Sequence, residues 1–379
     1  MAQNKLREEM AKRFLAALNQ GQLPWRACWQ QPRPMNAVTG RPYRGVNALY
    51  LSYWADELGY TDPRWCTYKK AKDHGWQVRK GETTFCKVEY WAYYDTKQRK
   101  LLSWQEAKDC LKADPNYTLN LRLSCRTYPV FNAAQIDGIP EYVQRNTDIG
   151  AIREQRDALI LNMGIGYRET GAEAYYSSYD DTVTLPPEAS FDDAYGYMAT
   201  FLHECGHATG HPSRLNRDMS GVFGSESYAR EELRAEIASA FTAQAIGMQL
   251  TGDQLQAQMQ RHIAYVQNWA VALKNSPEEL FRAIKAAEEI SDYLIEQGEF
   301  EKAMTRDAAP RAAAALAEPE NDGSRGYVLC SGRDPQQEPP EERWPGMDAG
   351  ERTLLAAAER FMAQGGDLSI LEPGLEPDW

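Results

Sequence analysis

Cysteine and histidine are both scarce in this chain: of 379 residues, seven are Cys and five are His. Cys28, Cys66, Cys86, Cys110, Cys125, Cys205 and Cys330 are scattered without a C-x-x-C pair. That pattern excludes a disulfide framework and a cysteine-built zinc ribbon, and it fits reduced thiols in a cytoplasmic setting. No run of about 18 apolar residues occurs, so no segment reads as a membrane-spanning helix. There is no internal repeat. The opening stretch is charged at Lys5, Arg7, Glu8, Glu9, Lys12 and Arg13, unlike a signal peptide. Its apolar positions Leu6, Met10, Phe14 and Leu18 form one stripe, which predicts an amphipathic helix from Lys5 to Asn19.

Three of the five histidines, His203, His207 and His211, fall within nine residues. Two of them frame His203-Glu204-Cys205-Gly206-His207, an H-E-x-x-H segment. On a helix, residues four apart share one face, so both imidazoles can grip one cation. Glu204 is then placed to take a proton from a water held beside that cation, the chemistry of a zinc peptidase. Asp192, Asp193 and the apolar run behind them predict that the helix starts well upstream, with Ser190 as a cap. Thr209-Gly210 and Pro212 predict its end. Cys205 occupies a variable position of the motif and reads as packing. The alternative is a buried helix carrying two hydrogen-bonded core histidines.

A catalytic zinc takes three protein ligands and keeps a fourth position open. His211 is a poor third ligand, because the extended metzincin spacing wants histidine at position 213, where the chain has Ser213. A second helical segment, residues 227–238, carries Glu232 and Glu236 four apart on one face, with Leu233, Ile237 and Phe241 marking the buried side. Resemblance to gluzincins implies that Glu232 is the ligand and Glu236 the partner that orients His203. On spacing alone the two roles are interchangeable, and both glutamates equally suit a solvated face paired with Arg230 and Arg234. Residues 175–185 alternate and stop at Pro186-Pro187, predicting a strand that feeds the helix and is either an edge for peptide addition or an ordinary sheet edge. Tyr228, His211 and Arg214 are each candidates to stabilise an oxyanion. Zinc is the expected ion; manganese or another divalent cation is also compatible.

The net charge of −12 is unevenly spread. Residues 1–140 hold 22 Lys+Arg against 13 Asp+Glu, and the remainder holds 20 against 41. The basic part also carries seven of the ten tryptophans: Trp25, Trp29, Trp54, Trp65, Trp76, Trp91 and Trp104. Most are expected to be core, yet basic residues mixed with aromatics are what single-stranded nucleic acid requires. The candidate DNA-binding residues are Arg44, Tyr68, Lys69, Lys72, Arg79 and Lys80.

Several segments resemble one family. They are Pro24-Trp25, residues 36–47 (N-A-V-T-G-R-P-Y-R-G-V-N), residues 131–136 (F-N-A-A-Q-I), the H-E-x-x-H helix through His211, residues 213–217 (S-R-L-N-R) and residues 228–233 (Y-A-R-E-E-L). Together they resemble the ArdC-type antirestriction proteins of conjugative plasmids and the N-terminal region of TraC-type primases, over roughly residues 4–295. Ala208 departs from the bulkier aromatic expected in relatives. The resemblance implies an α+β chain: a mixed α/β domain over 1–140 that binds single-stranded DNA, then a zincin-like metallopeptidase domain over 150–304. It also implies protection of incoming DNA from restriction during conjugation. The break between domains is expected at Asp137-Gly138-Ile139-Pro140. Residues 305–379, acidic and rich in Pro and Ala, read as a largely disordered tail. Two other functions fit the residues: a protease that repairs DNA–protein crosslinks, and a non-enzymatic DNA-coating protein with a structural metal. The partners expected are single-stranded DNA and a protein substrate that the sequence leaves unnamed.

Overall fold

The opening stripe forms the helix its spacing predicts. In the computed structural model, which describes residues 5–301 apart from 145–146 and 222–224, helix α1 spans Lys5–Asn19. Leu6, Met10, Phe14 and Leu18 are all buried. The acidic tail expected at 305–379 lies outside the described residues. Among the described residues no helix is long and apolar enough to cross a membrane.

The chain divides into two compact units, and the division does not follow chain order. Among the described residues, the first holds 5–8 and Pro34–Tyr142; the second holds Glu9–Arg33 and 143–301. The first domain is expected over 1–140; the first compact unit leaves out residues 9–33. Trp25 and Trp29, both fully buried, belong to the second unit. Part of the basic excess moves with them. Residues 9–33 hold 4 Lys+Arg against 1 Asp+Glu, leaving 18 against 13 in the described first unit.

The first unit contains β1 (Met35–Asn36), α2 (Gly45–Leu58), β2 (Arg64–Cys66), α3 (Tyr68–Asp73), β3 (Gln77–Val78), β4 (Lys87–Asp95), β5 (Lys100–Leu102), α4 (Trp104–Ala113), β6 (Leu121–Pro129), β7 (Phe131–Asn132) and β8 (Ile136–Asp137). Strands β5-β4-β6 form an antiparallel sheet, with β4 and β6 paired from Lys87↔Pro129 to Asp95↔Leu121. Helix α4 starts in a Ser103–Glu106 capping box and buries Ala107 and Leu111 against Tyr93, Leu102 and Leu121. A second small core gathers Cys66, Ala71, Val78 and Ile136 beneath α3 and the β3–β8 pair. Glu89 is buried and held by Arg7, whose Nη2 lies 2.8 Å from its carboxylate, and by Trp91 Nε1 at 3.1 Å. A buried carboxylate needs such donors to offset its lost hydration.

The second unit runs through α5 (Ile149–Met163), β9 (Gly166–Glu169), β10 (Tyr175–Ser177), β11 (Thr182–Leu185), α6 (Ala194–Ala208), α7 (Glu226–Ala245), α8 (Gly252–Asn275) and α9 (Glu278–Gln297). Residues 175–185 are thus a hairpin rather than one strand: β10 pairs antiparallel with β11, and β11 pairs parallel with β9. Strand β10 lies at the edge of that sheet. Helix α7 packs against α6, α8, α9 and the short turn Arg26–Trp29. Ala229, Ala235, Ala238, Ala240 and Ala243 are buried along it, so neighbours approach on every side. Glu231, Glu232 and Glu236 are carried into the interior by the same helix.

Candidate metal centre

Helix α6 begins at Asp193, whose side chain accepts from the Gly196 N–H at 2.8 Å. Ser190, the cap expected from the sequence, lies instead in a short 3-10 turn one step earlier. The helix ends at Ala208, and Gly210 does not adopt the left-handed conformation of a glycine cap. Its role is spatial: a Cβ there would meet the Met219 sulfur at 2.5 Å and the His207 carbonyl oxygen at 3.0 Å.

His203, Glu204 and His207 are buried on α6. The two Nε2 atoms face one another at 3.2 Å. Glu232 of α7 closes the triangle, with Oε2 3.5 Å from His203 Nε2 and Oε1 3.4 Å from His207 Nε2. Donor atoms about 2.0–2.1 Å from a tetrahedral cation are separated from each other by roughly 3.3 Å. The two Nε2 atoms and the nearer Glu232 oxygen to each are spaced close to that separation, so the three side chains converge as ligands of one cation would. Among the described residues this is the one cluster whose donor atoms converge closely enough to hold an ion.

The other nitrogen of each imidazole faces its own carboxylate. His203 Nδ1 lies 3.6 Å from Glu236 Oε2, and His207 Nδ1 lies 3.6 Å from Glu231 Oε1. An Nδ1–H directed at a carboxylate leaves the Nε2 lone pair for a cation. Glu236 is fully buried, ruling out the solvated-face reading of the α7 acids. Glu231 also receives Arg217 Nη2 at 2.6 Å, and the same guanidinium donates to the Gly206 carbonyl at 2.8 Å. Sequence reasoning missed Glu231: it is adjacent to the predicted ligand and outside the four-residue repeat, and its partner Arg217 comes from the preceding loop.

The charge balance follows from this packing. Burial disfavours a charged His203, yet Glu232 and Glu236 hold its pKa well above the ordinary value. For His207 burial is likewise outweighed, by Glu231 and Glu232, and the pKa is pushed up to about 9. Glu231 is held down at about 2, against the effect of burial, by His207 and Arg217. Glu232 is driven below the carboxylate range against burial by the two histidines. Glu204 moves the other way: burial raises its pKa, and His203 and His207 only partly oppose that. A carboxyl made more basic is suited to proton transfer.

These groups open onto a cavity of about 380 Å³ lined in part by Tyr175, Tyr176, Met219 and Tyr228. The Tyr176 backbone N–H reaches the Glu204 carboxylate, so the edge strand β10 borders the cleft beside Glu204. Of the three oxyanion candidates, Tyr228 lines the cavity and the other two do not. Arg214 is buried and committed elsewhere, pairing with Asp181 and donating to the Ala208 carbonyl at 2.7 Å. His211 Nδ1 is 2.7 Å from Ser213 Oγ.

In the first unit, Tyr68 begins α3 and is 52% exposed, with Lys69 and Lys72 exposed on the same helix. Lys80 is exposed beside Gly81, whose φ of 91° turns the chain. Arg79 is tied down: its Nη2 donates to Glu82 at 2.8 Å and to the Ala134 carbonyl at 2.6 Å. Arg44 caps the start of α2 and is half-buried. Trp54 and Trp65 supply core, while Trp76 and Trp91 are half-buried. Phe85, absent from the sequence-based candidates, is 51% exposed and stacks edge-on against Trp54 at 4.5 Å.

The profile described as the N-terminal domain of anti-restriction factor ArdC matches residues 4–131, and that described as a zincin-like metallopeptidase matches residues 154–286. The metal-free crystal structure of the antirestriction ArdC protein from plasmid R388 is similar, with a TM-score of 0.60 and 33% identity; the match covers 78% of this chain and 98% of that one. The chain belongs to the ArdC-type antirestriction family. The Mn(II)-bound crystal structure of the R388 protein matches with a TM-score of 0.59 and 33% identity, over 77% of this chain and 98% of that one. The family resemblance read from the motifs and the α+β class with its ArdC and zincin-like domains are therefore both borne out. DNA primase TraC of Escherichia coli is 37% identical over 327 residues, 83% of this chain. The chain spans less than a third of the TraC primases it matches.

Proposed function

We propose that this antirestriction-family chain is a divalent-metal-dependent peptidase whose first unit binds single-stranded DNA, acting to protect incoming DNA during conjugation. The observation that carries the reading is the convergence of His203 Nε2, His207 Nε2 and the two Glu232 carboxylate oxygens, with contacts of 3.2–3.5 Å, and Glu204 beside them on a cleft. Three donors rather than four favour an open coordination position, which speaks against a purely structural ion. The R388 relative with Mn(II) bound supports a divalent cation, zinc or manganese.

A cation held by His203, His207 and Glu232 would supply Lewis acidity to a water and to the peptide carbonyl. Glu204 takes the proton from the attacking water and delivers it to the departing amine nitrogen. Its raised pKa suits both halves of that transfer. Tyr228, which lines the cleft, would donate its hydroxyl to the developing oxyanion. An extended substrate adds to the outer edge of β10, whose Tyr175 and Tyr176 line the cleft. Exposed Tyr68 with Lys69 and Lys72 supports DNA binding by the first unit, since bases stack on flat rings and phosphates seek ammonium groups.

The test uses the full-length protein loaded with Zn(II) or Mn(II), with casein as a general substrate, in the presence and absence of single-stranded DNA. Glu204→Gln retains the metal and loses cleavage by about 10²–10⁴-fold. Metal-loaded wild type that leaves casein intact in both conditions sinks the peptidase reading.

A further inference from the structure

A residue from the opening segment of the chain reaches the carboxylate behind His203. Trp25 is 0% exposed, and its indole Nε1 donates to Glu236 Oε1 at 3.4 Å across 211 positions of sequence. The other oxygen of that carboxylate, Oε2, is the atom 3.6 Å from His203 Nδ1. The three side chains form a line from indole N–H to carboxylate to imidazole, and the free end of the imidazole points at the cation position. We propose that Trp25 is a positioning residue of the metal centre, orienting His203 through Glu236, and that the 9–33 segment is thereby a working part of the peptidase unit. This rests on the reading of His203 as a metal ligand.

The chemistry of the pair supports that role. Glu236 is 0% exposed, and a buried carboxylate keeps its charge only with donors around it. Indole is a donor without acceptor capacity, so it can anchor one carboxylate oxygen and cannot compete for the Nδ1 proton. Anchoring Oε1 leaves Oε2 aimed at His203, which fixes the imidazole's tautomer and ring angle.

The indole is held at a set position by its own surroundings. Its ring packs at 5.4 Å and 59° on Trp269 of α8. The turn behind it is pinned where Leu250 N–H donates to the Trp29 carbonyl at 2.7 Å. Gln244 Nε2 donates to the Gln31 carbonyl at 3.2 Å. Arg33 ends the segment with an ion pair to Glu288 at 2.5 Å and its guanidinium over Phe241 at 5.2 Å. A residue needed only to fill space would have no use for the N–H, and phenylalanine would serve.

The experiment titrates Mn(II) and Zn(II) into metal-stripped full-length protein and measures thermal stability without metal in parallel. Trp25→Phe keeps an aromatic ring and removes the donor. The expected result is metal affinity weakened about 3–10-fold, below the 10–100-fold typical of a group bonded directly to a ligand. The loss should also shrink in the Glu236→Gln background, because both changes act along one line. Should Trp25→Phe unfold the chain, benzothienylalanine at position 25 keeps the bicyclic shape, replaces N–H by sulfur, and is expected to show the same loss. Affinity equal to wild type in a folded variant, or losses that add fully with Glu236→Gln, overturns the proposal. Glu232→Ala separates the two readings. If it abolishes binding while Trp25→Phe binds as tightly as wild type, the metal centre stands and the positioning role falls; if wild type binds neither ion, both fall together.

Discussion

Glu231 sits one residue before Glu232 on α7 and serves the other face of the same site: its Oε1 lies 3.6 Å from His207 Nδ1, the nitrogen turned away from the metal position. Arg217, 2.6 Å from that oxygen, keeps the carboxylate charged and aimed. Each histidine thus has a private carboxylate, Glu236 for His203 and Glu231 for His207, and the two share Glu232 between their inner nitrogens.

Removing the charge at position 231 while keeping its shape should therefore weaken the site without unfolding it. Glu231→Gln is expected to lower metal affinity by about 10–100-fold, the range for groups bonded directly to a ligand. Isothermal titration with Zn(II) checks this. An affinity within twofold of wild type would assign the Glu231–Arg217 pair to packing alone.

Proton and cation compete for the same imidazoles, which makes the metal-stripped and metal-loaded proteins respond oppositely to pH. The His207 pKa is raised in the folded, metal-stripped chain to about 9 from the ordinary 6.5. A raised histidine pKa contributes stability that is complete below the unfolded value and is lost as pH climbs through the folded value. Metal-stripped protein should accordingly lose thermal stability between about pH 6.5 and 9. Over the same interval apparent metal affinity should rise, as fewer protons must be displaced. Melting curves and metal titrations across that range measure both slopes, and a metal-stripped Tm that climbs toward pH 9 would contradict the assignment.

The exposed aromatics of the first unit separate recognition from scaffolding. Tyr68→Ala and Phe85→Ala are each expected to cost single-stranded DNA affinity by about 1–3 kcal/mol, the value of a lost base–ring stack. Arg79→Ala should change affinity much less, because its guanidinium is already engaged by Glu82 and the Ala134 carbonyl. Fluorescence anisotropy on a labelled oligonucleotide at two salt concentrations reads both effects, with overall binding weakening as salt rises. Arg79 emerging as the dominant residue would relocate the binding surface.

What could be read in advance was whatever is written as spacing along one helix. The i,i+4 repeat put His203 and His207 on one face and Glu232 and Glu236 on another, and helical geometry alone makes those pairs neighbours. The length of α1 was equally legible, because an amphipathic stripe is a local signal. Relationships across the chain were not. Arg217 with Glu231 and Trp25 with Glu236 are contacts between segments that carry no shared period. Trp25 sits among other tryptophans in a basic stretch, and composition does not show that its indole reaches Glu236. Arg214 looked available for catalysis because sequence does not show that Asp181 has claimed it. Phe85 was overlooked for the reverse reason, since an exposed phenylalanine is identical in sequence to a buried one.

The interleaving of the two units has a bearing on how the protein is made. A ribosome adds about 5–20 residues each second, so Trp25 emerges roughly 10–40 s before Glu236, its partner 211 positions later. During that interval residues 34–142 are complete and free to fold, while the 9–33 segment waits with Trp25 and the Arg26–Trp29 turn lacking α8 and α7, against which they later pack. The histidine cluster is consequently assembled late, when an early segment and a late one finally close around it.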